Sequence, residues 1–351
     1  MKLNTALTQA RKHHCWSQEE VASMIGTTQA NLSRWERGIT SPMPHYTRKL
    51  CELYQKSSEE LFPRVLHQRW DEDSSFFLCN ATLTDLNEFF GRKREILTLL
   101  HRARTGQSTS IIGPRRMGKT WLLHYLCLVV KEEWENKYTI GYLDATSPRC
   151  SGMVGFTKEI LRALNIPLPD EPDLKNNLIA LEDAVAQKTA NAEVFILCID
   201  EFEGICKQPD FSLEVLENLR AIAQRYLLSL IIASKEPLLD VVARVAGSET
   251  SPFFNIFLQL RLGRFSRHDA ELFARVKGQQ AQFTEQERLL LLECSQDKEH
   301  EQWHPWLLQF TGELIYQDKI LAADNYKPDD PTYRAELLQR IEDGSRGVIE
   351  T

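Results

Sequence analysis

No two of the eight cysteines, at positions 15, 51, 79, 127, 150, 198, 206 and 294 of 351, stand at C-x-x-C spacing. The scatter excludes a zinc ribbon and a disulfide framework, and suits reduced thiols used as core filler. No stretch approaches the roughly 20 apolar residues needed to span a bilayer, so no membrane is expected as a partner. Met1-Lys2-Leu3-Asn4-Thr5 carries no signal-peptide core, and a cytoplasmic location is expected. No period of roughly 20–50 residues recurs, which excludes a repeat array. A basic surplus is missing too: the formal net charge is −7. What is left, 42% hydrophobic and 26% charged residues, is ordinary for globular domains, and the length admits two or three of them.

Against that plain background one segment stands out. Gly113-Pro114-Arg115-Arg116-Met117-Gly118-Lys119-Thr120 fits the G-x-x-x-x-G-K-[ST] pattern of a phosphate-binding loop. The pattern alone is weak, but its context agrees. Thr109–Ile112 is short, β-branched and apolar, as a buried parallel strand should be, and Trp121 to Val130 is apolar on nearly every side, as a buried helix should be. Two glycines let backbone N–H groups turn toward an anion at the positive end of a helix dipole, where Trp121 follows on. Lys119 can reach the terminal phosphates and the Thr120 hydroxyl can ligate Mg²⁺. A nucleotide is therefore expected here, with Mg²⁺.

A second apolar run, Val194–Ile199, ends in Asp200-Glu201 and reads as a central strand delivering two carboxylates to its carboxyl edge. Acids after a strand often only start a solvated loop. Joined to a phosphate loop, Asp200 becomes the expected metal residue and Glu201 the expected base. A third run, Leu228–Ala233, ends at Ser234-Lys235. These two residues either sense the γ-phosphate or merely cap a loop. Tyr138–Asp144 is a fourth strand ending in an acid. Four such runs alternating with helices predict an α/β fold with a doubly wound parallel sheet.

The first sixty residues follow another pattern, of short amphipathic helices. Ser17-Gln18-Glu19-Glu20 is a capping box, and Val21, Ala22 and Ile25 form the apolar face of a helix stopped by Gly26. A second helix, capped by Thr27 or Thr28 and ended at Gly38, exposes Thr28, Gln29, Asn31, Ser33 and Arg34. Two helices joined by a glycine turn form a helix-turn-helix, and those side chains suit base and phosphate contacts. Such a bundle serves equally well as a protein-interaction module. The stretch TQARKHHCWSQEEVASMIGTTQANLSRWERGITSP resembles the Cro/phage-repressor helix-turn-helix family across its whole length. That resemblance implies a five-helix domain binding double-stranded DNA, with Gln18 and Gln29 near backbone and bases and Thr28, Asn31 and Arg34 on the groove face. Through Phe62 there are eight Lys/Arg against six Asp/Glu, leaving a net −9 for the rest, so specificity is expected to rest on a homo-oligomer.

From Pro63 to Glu88 the periodicity breaks down, and a linker is expected. Phe89-Phe90-Gly91-Arg92-Lys93-Arg94-Glu95 resembles the F-x-G-R-x-x-E segment of AAA+ and STAND-type NTPases, which implies that Gly91 and Arg92 fold over adenine. The GPRRMGKT form of the loop and Leu260–Ser266 are similar to archaeal-type STAND ATPases. By that resemblance, residues 89–262 are the ATPase core and 263–351 a small helical or winged-helix lid whose H-P motif packs a proline on the base. His304 and Pro305 match, without the usual preceding glycine. Lys235 replaces the usual sensor arginine, and the usual sensor repeats are not found.

The function expected is a DNA-binding regulator, probed and switched by ATP or ADP through slow hydrolysis. A DNA-remodelling or loading ATPase and an ATP-gated defence or signalling scaffold are the alternatives.

Overall fold

A computed structural model of the chain describes residues 5–14, 16–37, 42, 44–57, 61, 76–134, 136–246, 252–297, 299–321 and 326–349. It divides into two compact units, Met1–Ser75 and Phe76–Thr351.

The first unit holds four described helices, α1 Thr5–His13, α2 Gln18–Ile25, α3 Gln29–Glu36 and α4 Pro44–Tyr54. Their ends follow local chemistry. The Ser17 hydroxyl accepts from the Glu20 amide at 3.1 Å and the Glu20 carboxylate accepts from the Ser17 amide at 2.6 Å, closing the capping box. Gly26 ends α2 at φ 77°, a left-handed conformation that costs glycine little. Thr28, rather than Thr27, caps α3 by accepting from the Asn31 amide at 3.3 Å. Leu7, Val21, Ile25, Leu32, Trp35 and Leu50 form the core beneath these helices. Gly38, the fifth helix apart from Leu61, and 62–75 of the expected linker lie outside the described residues.

In the second unit a five-stranded, wholly parallel sheet runs in the order β2-β3-β4-β1-β5. Its strands are β1 Thr109–Ile112, β2 Tyr138–Asp144, β3 Val194–Asp200, β4 Leu228–Ser234 and β5 Leu258–Arg261. Helices α5 Lys93–Arg104, α6 Lys119–Glu133, α7 Gly152–Ala163, α8 Leu174–Ala190, α9 Glu203–Cys206, α10 Leu213–Arg225 and α11 Leu238–Ala246 alternate with them. The strand period of two divides β3 between two cores. Phe195, Leu197 and Ile199 face Phe156, Ile160 and Leu216, while Ile196 and Cys198 face Leu99, Leu122 and Leu126 on the other side. Because β1 lies between β4 and β5, the ends of β1, β3 and β4 open onto one edge, where ligands of such sheets collect.

The remaining helices are α12 Arg267–Gln280, α13 Glu285–Cys294, α14 Pro305–Leu321 and α15 Pro331–Ser345, with a small antiparallel pair, β6 Gln296–Asp297 and β7 Gln302–Trp303, between α13 and α14. Thr284 and Glu287 close the second capping box, at the start of α13. An aromatic core of Phe265, Phe273, Phe283 and Trp303 holds this lid together, and Phe77 belongs to it at 2% exposure. The expected linker over 63–88 therefore ends sooner: from Phe76 onward the chain is packed into the second unit. Its apolar and amide groups find partners more than 200 residues away, which no local pattern could announce.

Candidate nucleotide-binding site

The phosphate loop connects β1 to α6. Gly113 donates its amide to the Ser234 carbonyl at 3.3 Å, and a Cβ at Gly113 would stand 2.8 Å from the Leu262 carbonyl, so glycine alone lets β1 and the end of β5 close up there. Arg116 at φ 61° and Gly118 at φ 88° turn the loop into the helix. The Lys119 ammonium donates to the Gly113 and Pro114 carbonyls at 2.7 and 2.9 Å, folding the loop around itself. Burial pushes the Lys119 amine down, and the nearby carboxylates of Glu201, Asp200 and Glu203 pull it back up. The ammonium is thereby held among three acids at the mouth of the sheet.

Asp200 is 3% exposed, and its two oxygens accept from the Tyr142 hydroxyl at 3.1 Å and the Glu201 amide at 2.9 Å. Glu201 adopts φ 46°, and burial, followed by the Asp200 charge, raises its carboxyl above the usual range while Lys119 opposes the shift. Among the described residues no cluster of His, Cys, Asp and Glu makes a metal cage. One carboxylate and one hydroxyl beside bound phosphates is nonetheless the donor set that Mg²⁺ takes, so Asp200 and Thr120 fit it.

A cavity of 600 Å³ opens over the loop, a size suited to a nucleotide. Of the residues expected from the sequence, Arg92, Arg115, Arg116, Met117, Gly118, Lys119, Thr120, Trp121, Glu201 and Pro305 line it. Gly91, Gly113, Pro114, Asp200, Ser234, Lys235 and His304 do not. Each has a reason. Gly91, at φ 66°, is pressed on Asp269. The Gly113 and Pro114 carbonyls are turned onto the Lys119 ammonium, and the Asp200 carboxylate is buried against Tyr142 and the Glu201 amide. Ser234 is fully buried and its hydroxyl donates to the Glu236 carbonyl at 2.6 Å, while the Lys235 amide donates to the Glu203 carboxylate. His304 is 3% exposed and accepts from the Trp306 amide on Nδ1 at 3.2 Å. Burial pushes its imidazole down to about 4, against a backbone contact with Arg115.

Arg92 is 6% exposed in a left-handed conformation and donates to the carbonyls of Met117 at 2.7 Å and Gly263 at 2.8 Å, with Phe265 under its guanidinium. It ties the phosphate loop to the junction of core and lid. Several wall residues carry no sequence signal, among them Leu78–Thr82, Thr146, Phe273, Gly347 and Val348. Glu203 was legible only as the third acid of Asp200-Glu201-Phe202-Glu203.

In the first unit, Gln18 donates to the Glu36 carboxylate at 2.7 Å, and Arg11 grips the same carboxylate at 2.5 and 2.9 Å. Glu36 is 3% exposed, so this cluster fastens α1 and α2 to α3. Thr28, Gln29 and Asn31 are exposed together on α3, with Ser33 half-buried. The Arg34 side chain lies outside what the structure describes.

Residues 7–61 match the Helix-turn-helix family and residues 101–242 the AAA domain family. No curated protein matches the chain. Among solved structures, the chain is similar to a Walker-type ATPase of Pyrococcus abyssi, at 16% identity over 77% of this chain and 76% of that one, with a TM-score of 0.55. It is also similar to the Aeropyrum pernix ORC2 protein in ADPNP and ADP complexes, at 13% identity over 76% and 70% with a TM-score of 0.53. Drosophila ORC bound to DNA matches at 12% identity over 78% and 66%, again with a TM-score of 0.53. At these identities the likeness is one of fold. The chain thus carries a helix-turn-helix match in its first unit and an AAA domain match over the sheet of its second, whose fold is shared with P-loop ATPases. Among the described residues no helix is long and apolar enough to cross a membrane.

Proposed function

We propose that the chain is a nucleotide-controlled regulator of the STAND kind, in which ATP and Mg²⁺ at the second unit set the DNA-binding state of the first. The observation that carries this reading is the 600 Å³ cavity placed over Lys119, with Glu201 on its wall. Loop amides and the Lys119 ammonium bind the phosphates, and Thr120 with Asp200 holds the metal. Mg²⁺, which Thr120 and Asp200 would hold, would supply positive charge against the phosphates. Glu201, whose raised carboxyl makes it a stronger base, orients and polarises the attacking water. On α3, Thr28, Gln29, Asn31, Ser33 and Arg34 meet the major groove, with Gln18 at the start of α2 beside the backbone. A homo-oligomer supplies the second half-site.

Hydrolysis is slow, since switch NTPases without an arginine supplied in trans turn over far below one per second. DNA-stimulated turnover well above the basal rate would instead favour a remodelling ATPase. The decisive measurement is a footprint run with ATP, with ADP and without nucleotide, beside calorimetry of ATP binding. Lys119→Ala is expected to abolish the ATP heat and to leave one nucleotide-independent footprint. An unchanged heat in that variant overturns the reading.

A further inference from the structure

The stretch Phe76–Thr82 has the composition of a connector, yet Phe77 is locked into the lid core and each residue from Leu78 to Ala81 is tied to a wall of the nucleotide cavity. At one end the ties go to the lid. Phe77 is stacked on Phe283 with ring centroids 5.6 Å apart, and it lies so close on α14 that a Cβ at Gly312 would stand 2.2 Å from its ring. The Leu78 amide donates to the Gln309 side chain at 2.9 Å, and the Trp306 indole donates to the Cys79 carbonyl at 3.1 Å. At the other end the ties go to the phosphate loop and its helix. Arg116 donates to the Asn80 side chain at 3.1 Å, and the Trp121 indole donates to the Ala81 carbonyl at 2.9 Å.

We infer that Phe76–Thr82 is a strap that holds a nucleoside triphosphate in the cavity and couples the phosphate loop to the lid. This rests on the nucleotide reading above. Two features give the strap a direction. Its lid end is fixed, because a plugged aromatic ring cannot slide past Gly312 without a clash. Its core end answers to the nucleotide, because Arg116 and Trp121, which hold it, line the cavity themselves. A change at the loop therefore moves Asn80 and Ala81, and through Phe77 and Leu78 it moves the lid.

The test is hydrogen exchange on the full chain with and without ATP and Mg²⁺. Peptides over 76–83 and over the loop, 113–121, are both expected to exchange more slowly with nucleotide. Protection of the loop with an unaltered strap overturns the inference and leaves nucleotide binding standing. Protection of neither overturns both. A second arm uses Asn80→Ala, which removes the bond to Arg116 and leaves Arg116, Trp121 and the Phe77 ring in place. The freed strap must then be ordered as the nucleotide binds, and one net hydrogen bond is a factor of about two to ten, so the Kd for ATP is expected to rise by that factor. An unchanged Kd sinks the inference.

Discussion

A second ring proton has no place at His304. Nδ1 already accepts from the Trp306 amide, the ring is 3% exposed, and Arg264 and Arg92 add positive charge nearby. An imidazole held down at about 4, against 6.5 when unfolded, binds fewer protons in the folded chain than in the unfolded chain between those two values. Stability contributed by this group is therefore intact above 6.5 and is lost as the pH falls toward 4. The full shift corresponds to about 3 kcal/mol, an upper figure for one residue. Urea midpoints of the wild type and of His304→Gln, measured from pH 7.5 to 4.5, check this. The wild type is expected to lose more stability than the variant across the window, and parallel curves would refute the burial argument. The same residue was nominated from the sequence for a nucleotide contact. His304 lies buried outside the cavity lining, a distinction that rests on burial and not on residue type.

Between elements, the closest fit in the lid is that of Phe77 against α14. Adding a methyl group at Gly312 must displace the ring, and overpacking of this sort costs about 1–3 kcal/mol. Removing the ring with Phe77→Ala costs about 3–5 kcal/mol, because it empties a core position. With the ring gone the added methyl has room, so the two changes are expected to be far from additive. Gly312→Ala should cost little or nothing in a Phe77→Ala background, as read from thermal midpoints. Equal costs in both backgrounds would show that the two elements do not touch. Elements of this sort mark the boundary of what the sequence makes legible. Strands β1, β3 and β4 are buried on both faces, and β3 and β4 read as near-continuous apolar runs, so the phosphate loop and the acids at 200 and 201 could be placed from pattern alone. Strand β5 is an edge strand, with Leu258, Gln259 and Arg261 exposed, and its short run has no such signal. The strap is further from reach, since its bonds join residues 36 to 231 positions apart and its backbone repeats nothing.

For the whole molecule, the reading as a switch requires that ATP bind two arrangements unequally, since equal affinity shifts nothing. Carrying the helix-turn-helix unit from mostly off to mostly on needs about 5.5 kcal/mol of difference. Contacts to a γ-phosphate and its metal are of a size to supply it, and they vanish on hydrolysis. Glu201 separates binding from that loss. Its side chain lines the cavity but is not among the groups that grip the loop, so Glu201→Gln should leave the Kd for ATP within about twofold. Turnover should fall by about 10²–10⁴, the usual contribution of a positioned base. If the ATP-bound arrangement is the one that reads DNA, the variant stays on its operator after ATP is washed out, for as long as uncatalysed hydrolysis and release take. If the ADP-bound arrangement reads DNA, the variant never acquires the footprint from ATP and acquires it at once from ADP. Either outcome ties the two units together through the nucleotide. A variant that loses turnover while its footprint tracks the wild type in all three nucleotide conditions would mean that the ATPase and the DNA reader share a chain and nothing more.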